Sequence, residues 1–194
     1  MASLDQALEN SNKWFTDGKF FDKLSSLVNI VTDSKNAVSV EDLTSYYTDG
    51  LSDILTDLGL QTEIIDNPIK DGPPFLIGKR IESSELKTIL LYGHGDTVPL
   101  QEGQWFEGII PNELKVIGDK IYGRGVADNK GQHLINLLAL LSVLKIRKKL
   151  GFNLKIVFEM GEEIGSPGLF DLCEKYKDYF KSDVLIASDG PRVA

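Results

Sequence analysis

Four short stretches of this 194-residue chain hold side chains that could do chemistry together. The first is Gly93-His-Gly-Asp96. It follows an apolar run, Ile89 to Tyr92, with the length and composition of a buried strand, and Pro99 stops it. Polar residues just past the carboxyl end of a strand lie where open α/β sheets bind ligands. His94 and Asp96 are two apart, so an extended backbone points both to one side. This suits a metal-binding imidazole whose other ring nitrogen is held by a carboxylate. Taken alone, the stretch fits a polar turn with a capping Asp equally well. The second stretch, Gly123-Arg-Gly-Val-Ala-Asp-Asn-Lys-Gly131, sets Asp128 in a glycine-flanked loop that opens a helix. The third, Gly161-Glu-Glu-Ile-Gly-Ser-Pro-Gly168, supplies Glu162 and Glu163, and the fourth, Ser188-Asp-Gly190, supplies Asp189.

If three strands end side by side, one imidazole and several carboxylates share a small volume. Without a cation such a cluster repels itself and raises its own carboxyl pKa values. With one or two divalent ions it is favourable, and nitrogen and oxygen ligands without thiolate fit Zn²⁺, Co²⁺ or Mn²⁺. Glu162 and Glu163 are adjacent, so on an extended segment they point apart. One can then bind metal while the other faces an activated water as general base. The competing reading, an exposed acidic loop, loses force beside three other acidic or histidine strand ends.

The elements that must position these groups can be read from hydrophobic spacing. Residues 3–31 form helices broken at Asp17-Gly18, with Trp14, Phe15, Phe20, Phe21, Leu24, Leu27 and Val28 at spacings of three and four. Residues 39–58 form a second helical stretch, capped by Ser39 with Asp42 in its first turn and ended by Gly59. Strands are expected over 60–65, 75–81 and 88–92, in an order that suggests a meander. An irregular segment follows to about residue 120, with a short hairpin edge over 116–122, and Trp105 and Phe106 anchor it or line a pocket. The rest reads as a core helix (131–149), a strand (152–158), a helix (169–180) and a last strand (184–187). Alternating strands and helices indicate an α/β domain with a mixed, largely parallel central sheet flanked by helices. His133, at a helix start, reads as structural.

Composition excludes several classes. A net charge of −8 argues against nucleic acid and anionic membrane as partners. One cysteine, Cys173, rules out an internal disulfide and a thiolate-rich zinc site, and its helical setting makes it a buried small hydrophobe. The longest apolar run, residues 134–144, is too short to span a bilayer. The N-terminal residues show no signal-peptide h-region, which gives a cytoplasmic expectation.

The four stretches, in this order, resemble the signature blocks of the co-catalytic zinc exopeptidases and deacylases. These include acetylornithine deacetylase, succinyl-diaminopimelate desuccinylase, carboxypeptidase G, carnosinase-like dipeptidases and aminoacylase. The resemblance covers residues 88–190 closely and the first 85 only loosely. It implies a zinc-exopeptidase-like fold with two divalent metals, Zn²⁺ before Co²⁺ or Mn²⁺. His94 and Asp189 would hold one ion, Asp128 would bridge both, and Glu163 would hold the second. Asp96 would orient His94, Glu162 would be the general base acting with a metal-bridged water, and the peptide bond from Asp128 to Asn129 would be cis. The reaction implied is hydrolysis of an amide bond next to a free carboxylate, in a peptide or N-acyl amino acid, by a homodimeric parent enzyme. Family members are longer, with a lid or dimerisation domain and a late segment that supplies a further His ligand. Residues 1–194 therefore read as the N-terminal part of a metallohydrolase catalytic domain, expected to hold one ion well, to turn over little, and to leave an apolar sheet edge uncovered. A second reading is a non-catalytic metal-binding or interaction module that keeps the family fold. The intact Glu162 favours the hydrolase.

Overall fold

A computed structural model describes residues 4–36, 39–106 and 108–190. The expected helix start at residue 3 lies outside this range. Helices α1 (Leu4–Thr16) and α2 (Lys19–Asn29) flank Gly18, whose φ of 75° makes the break expected at Asp17-Gly18. Ser39 caps α3 (Val40–Ser45) through a reciprocal box with Asp42, each side chain bonding the other residue's backbone N–H. The helix expected over 39–58 is not continuous. A π-helical turn, Tyr46–Leu51, separates α3 from α4 (Ser52–Asp57) and turns Tyr46, Tyr47 and Leu51 into the core.

The central sheet has five strands in the order β1 (Gln61–Ile65), β2 (Phe75–Arg80), β6 (Asn153–Glu159), β3 (Thr88–His94), β7 (Val184–Ala187). The meander expected for β1, β2 and β3 is not formed. β6 lies between β2 and β3, antiparallel to β2 and parallel to β3. The apolar length of β6, buried at six of its seven positions, suits the sheet centre better than β3 alone would. β3, β6 and β7 are parallel neighbours. Strands β4 (Lys115–Ile117) and β5 (Lys120–Tyr122) form a separate hairpin.

Helix α5 (Lys130–Arg147) connects β3 to β6 by way of the hairpin and packs with α1 to α4 on one sheet face, around Leu24, Leu27, Leu51, Leu134, Leu137, Ile156 and Phe158. Helices α6 (Leu169–Lys175) and α7 (Lys177–Phe180) cover the other face over Phe75, Ile77, Leu90 and Val157. The single helix expected over 169–180 is broken at Tyr176. Cys173 is half-buried rather than buried, because Leu172 beside it takes the core position. β7 is an edge strand with Val184, Leu185 and Ile186 exposed, which matches the uncovered apolar edge expected from the sequence. The crossovers leave the carboxyl ends of β3, β6 and β7 together on one rim.

Candidate metal centre

His94 is the last residue of β3 and is fully buried. The chain stays extended past it. Gly95 donates its N–H to the Glu159 carbonyl at 2.9 Å, and Thr97 donates to the Thr32 carbonyl at 2.9 Å. A Cβ on Gly95 would lie 2.5 Å from Tyr46 ring carbons and 2.8 Å from Met160 Sδ, so only glycine lets this strand end lie so close to the core. Asp96, also fully buried, reaches back to His94 Nδ1, with its Oδ1 at 3.3 Å and its carbonyl oxygen at 3.1 Å. The same carboxylate accepts the backbone N–H groups of Glu162 and Glu163, each at 3.1 Å.

The other ring nitrogen of His94 faces three carboxylates. Asp128 Oδ1 lies 3.0 Å from Nε2, Asp189 Oδ2 3.5 Å and Glu162 Oε2 3.8 Å. Among the described residues, the ligand atoms of His94, Glu162 and Asp189 all lie within 4.8 Å of one another. Five of the six residues singled out in the sequence thus meet at one imidazole. Glu163 joins them through its backbone bond to Asp96, and its carboxyl pKa is raised by burial and then by the charge of Asp128. The pair does not lie on an extended segment as expected. Residues Glu162–Ile164 form a 3₁₀ turn closed by Gly165 at φ 90°. The Asp128–Asn129 peptide is cis.

The electrostatics follow from this geometry. Burial alone would lower the His94 pKa, but the Asp96 hydrogen bond and the charges of Asp96, Asp189 and Asp128 raise it to about 9. Glu162 is pushed up by burial and by Asp189, Asp96 and Asp128, against the pull of His94. A proton on His94 is the charge that balances the cluster, and a divalent cation satisfies the same donors. One imidazole nitrogen and several carboxylate oxygens, with no thiolate, fit Zn²⁺, Co²⁺ or Mn²⁺.

Several residues that build the site were not singled out in the sequence. Asn129 is fully buried, and its Oδ1 accepts from His133 Nδ1 at 3.1 Å and from the His94 N–H at 3.4 Å. His133 Nε2 meets the Tyr46 hydroxyl at 2.6 Å, which bears out its structural reading. Glu159, at the end of β6, accepts the hydroxyls of Tyr92 at 2.7 Å and Ser166 at 2.9 Å. Lys130 is buried with its ammonium on the Leu27 and Ile30 carbonyls at 2.9 and 2.7 Å, closing the end of α2, and burial lowers its pKa to about 7. Trp105 anchors its loop by donating to the Leu100 carbonyl at 2.8 Å, whereas Phe106 is exposed.

An open α/β sheet here gathers an imidazole and acidic residues at the carboxyl rim of its parallel strands, the setting of a metal-binding α/β protein. Residues 90–193 match Peptidase family M20/M25/M40, more than half of the chain, and the chain belongs to this family. It is 34% identical to a mouse Beta-Ala-His dipeptidase over 150 residues, 72% of this chain and 30% of that protein. It is 30% identical to the Cys-Gly metallodipeptidase DUG1 of Candida albicans over 188 residues, 89% of this chain and 38% of the relative. The crystal structure of human carnosine dipeptidase 1 superposes with a TM-score of 0.85 at 29% identity, covering 98% of this chain and 42% of that one. The chain therefore spans well under half the length of these relatives. No helix among the described residues is long and apolar enough to cross a membrane.

Proposed function

We propose that this chain is the metal-binding core of a peptidase that hydrolyses an amide bond next to a free carboxylate in small peptides, with N-acyl amino acids as the related substrate class. The observation that carries the reading is the convergence of Asp128, Asp189 and Glu162 on one ring nitrogen of His94. The names of the dipeptidases it is similar to support the substrate class.

In this reading His94, Asp128 and Asp189 hold one ion, and Asp128 and Glu163 offer ligands to a second. Asp96 fixes the His94 ring so that Nε2 faces the carboxylates. A bound Zn²⁺, or Co²⁺ or Mn²⁺ in its place, supplies Lewis acidity to the substrate carbonyl and acidifies water. Glu162 takes the proton from the attacking water as the carbon–oxygen bond forms, then delivers it to the amine nitrogen as the carbon–nitrogen bond breaks. Burial and the neighbouring carboxylates hold its pKa above the ordinary carboxylate value, which favours a group that must both take and give back a proton.

Metal analysis after dialysis against Zn²⁺ tests the centre. One tightly held ion per chain is expected, lost in His94→Ala and Asp189→Ala. Two tight ions, or none, would overturn this division of ligands. In the whole protein, Glu162→Gln is expected to abolish dipeptide cleavage while metal content persists. Surviving turnover would remove Glu162 as the base, and lost metal would make it a ligand, as its place in the 4.8 Å cluster also allows.

A further inference from the structure

Asp189 lies two residues beyond the last ladder pair of β7, Tyr92 with Ala187, on a strand whose only sheet neighbour among the described residues is β3. The sheet therefore does not fix the backbone that carries this carboxylate. The hydrogen bonds that do come from α5 and its N-cap. Asn129 Nδ2 donates to the Ser188 carbonyl at 2.6 Å, Asn136 Nδ2 to the Ser188 hydroxyl at 2.8 Å, and Gln132 Nε2 to the Gly190 carbonyl at 3.4 Å. Positions 129, 132 and 136 fall on one face of a helix. Asn129 also donates to Gln132 Oε1 at 3.2 Å, which ties two of the amides to each other. This polar row interrupts a helix that is otherwise strongly apolar.

We infer that the amide row Asn129, Gln132 and Asn136 is a positioning device that sets Asp189 against His94, so that one helix fixes both Asp128, at its start, and Asp189. The inference rests on the metal-centre reading above. All three amides donate to 188–190, and each acceptor is an oxygen that the ladder leaves unused. Asp at 129 or Glu at 132 would present acceptors to the Ser188 and Gly190 carbonyl oxygens and drive the segment away. The apolar residues that suit the rest of α5 would leave the segment unheld.

The test uses Asn136→Leu and Ser188→Ala, which delete the same hydrogen bond from either side at partly exposed positions and leave every proposed ligand in place. Each is expected to weaken Co²⁺ binding about 10-fold and to change the Co²⁺ visible spectrum, because the residue that carries the Asp189 carboxylate loses the hold on its neighbour Ser188 that orients it. The double variant should be no weaker than either single one, and urea midpoints of the metal-free chains should stay close to wild type. Wild-type affinity and spectrum in both variants would overturn the inference. His94→Ala serves as the control for the centre itself. If it binds Co²⁺ as wild type does, the metal reading fails. The positioning claim is then read from backbone hydrogen exchange at Ser188 and Asp189 in the metal-free chain, where faster exchange in Asn136→Leu sustains it and unchanged exchange overturns it.

Discussion

Asp96 accepts the backbone N–H of Glu162 at 3.1 Å with the same carboxylate oxygen that lies 3.3 Å from His94 Nδ1. One buried side chain thereby ties the end of β3 to the turn after β6. Its second oxygen takes the N–H of Glu163. In Asp96→Asn the size is kept, but the charge and one acceptor oxygen go. Metal affinity is expected to fall about 10–100-fold, measured by competition with a chromophoric chelator. The His94 pKa in the metal-free variant should drop from about 9 toward its ordinary value, read by NMR titration.

The raised pKa of His94 makes metal binding a proton-release reaction. The ring must be neutral at Nε2 to bind, and at pH 7 the metal-free chain holds the proton there. Apparent affinity should therefore climb about tenfold per pH unit up to about 9 for this one group. Calorimetry in two buffers of different ionisation enthalpy should show close to one proton released at pH 7. The sign for folding follows from the same shift. A histidine held above its unfolded value stabilises fully below about 6.5, and that stabilisation is lost as pH rises through about 9. Relative to His94→Gln, the metal-free wild type should lose its advantage across that window. Glu162 and Glu163, raised by burial and neighbouring carboxylates, push the same way as they ionise.

Much of this centre could be read from the sequence because the side chains that meet a cation are the costly ones to place. His94, Glu162, Glu163 and Asp189 each stand where an apolar strand gives way to glycines, Asp128 stands in a glycine-flanked loop at a helix start, and strand ends are where an α/β sheet can gather charge. The strand order could not be read, since nothing local in residues 60–92 says that β6 inserts between β2 and β3. The 3₁₀ turn at Glu162 escaped for a similar reason: it is held by Asp96, which is distant in sequence. Asn129 stands in the glycine-flanked loop ahead of the helix, and Asn136 lies within the apolar run 134–144. Their role appears only once β7 is beside α5, although amides at one-face spacing were a signal already present.

Gly131 tests how tightly the Asp128 loop is wound onto α5. A Cβ there would lie 2.1 Å from the Val126 carbonyl oxygen, a backbone atom that cannot swing aside, and the Gly131 N–H already bonds the Gly125 carbonyl at 3.3 Å. Gly131→Ala should shift the start of α5 and move Asp128 away from Nε2. Expected outcomes are an unfolding free energy lower by about 1–3 kcal/mol, as for other overpacked sites, and lost metal binding. Gly103→Ala serves as a comparison, since its φ of 80° carries strain but nothing lies within 4 Å. It should keep the metal.

The two histidines of the chain should separate cleanly by experiment. His133 is buried 5.0 Å from the Phe158 ring, and with Asn129 Oδ1 accepting from Nδ1, its Nε2 is the acceptor for the Tyr46 hydroxyl. Burial, reinforced by the charges of His94 and Lys130, lowers its pKa to about 3. The unfolded chain therefore takes up a proton near 6.5 that the folded chain refuses until about 3, and this histidine's contribution to stability declines as pH falls through that range. Tyr46→Phe removes the hydroxyl and leaves Nε2 unpaired inside the core, at a cost of about 1–3 kcal/mol, measured by urea unfolding at pH 7. Metal affinity in this variant should stay near wild type, because no ligand has moved. His94→Ala should abolish metal binding, and at pH 7 it also removes the positive charge that balances the carboxylates, so the metal-free fold loses stability as well. If Tyr46→Phe lost the metal and His94→Ala kept it, the two histidines would have exchanged the roles given to them here.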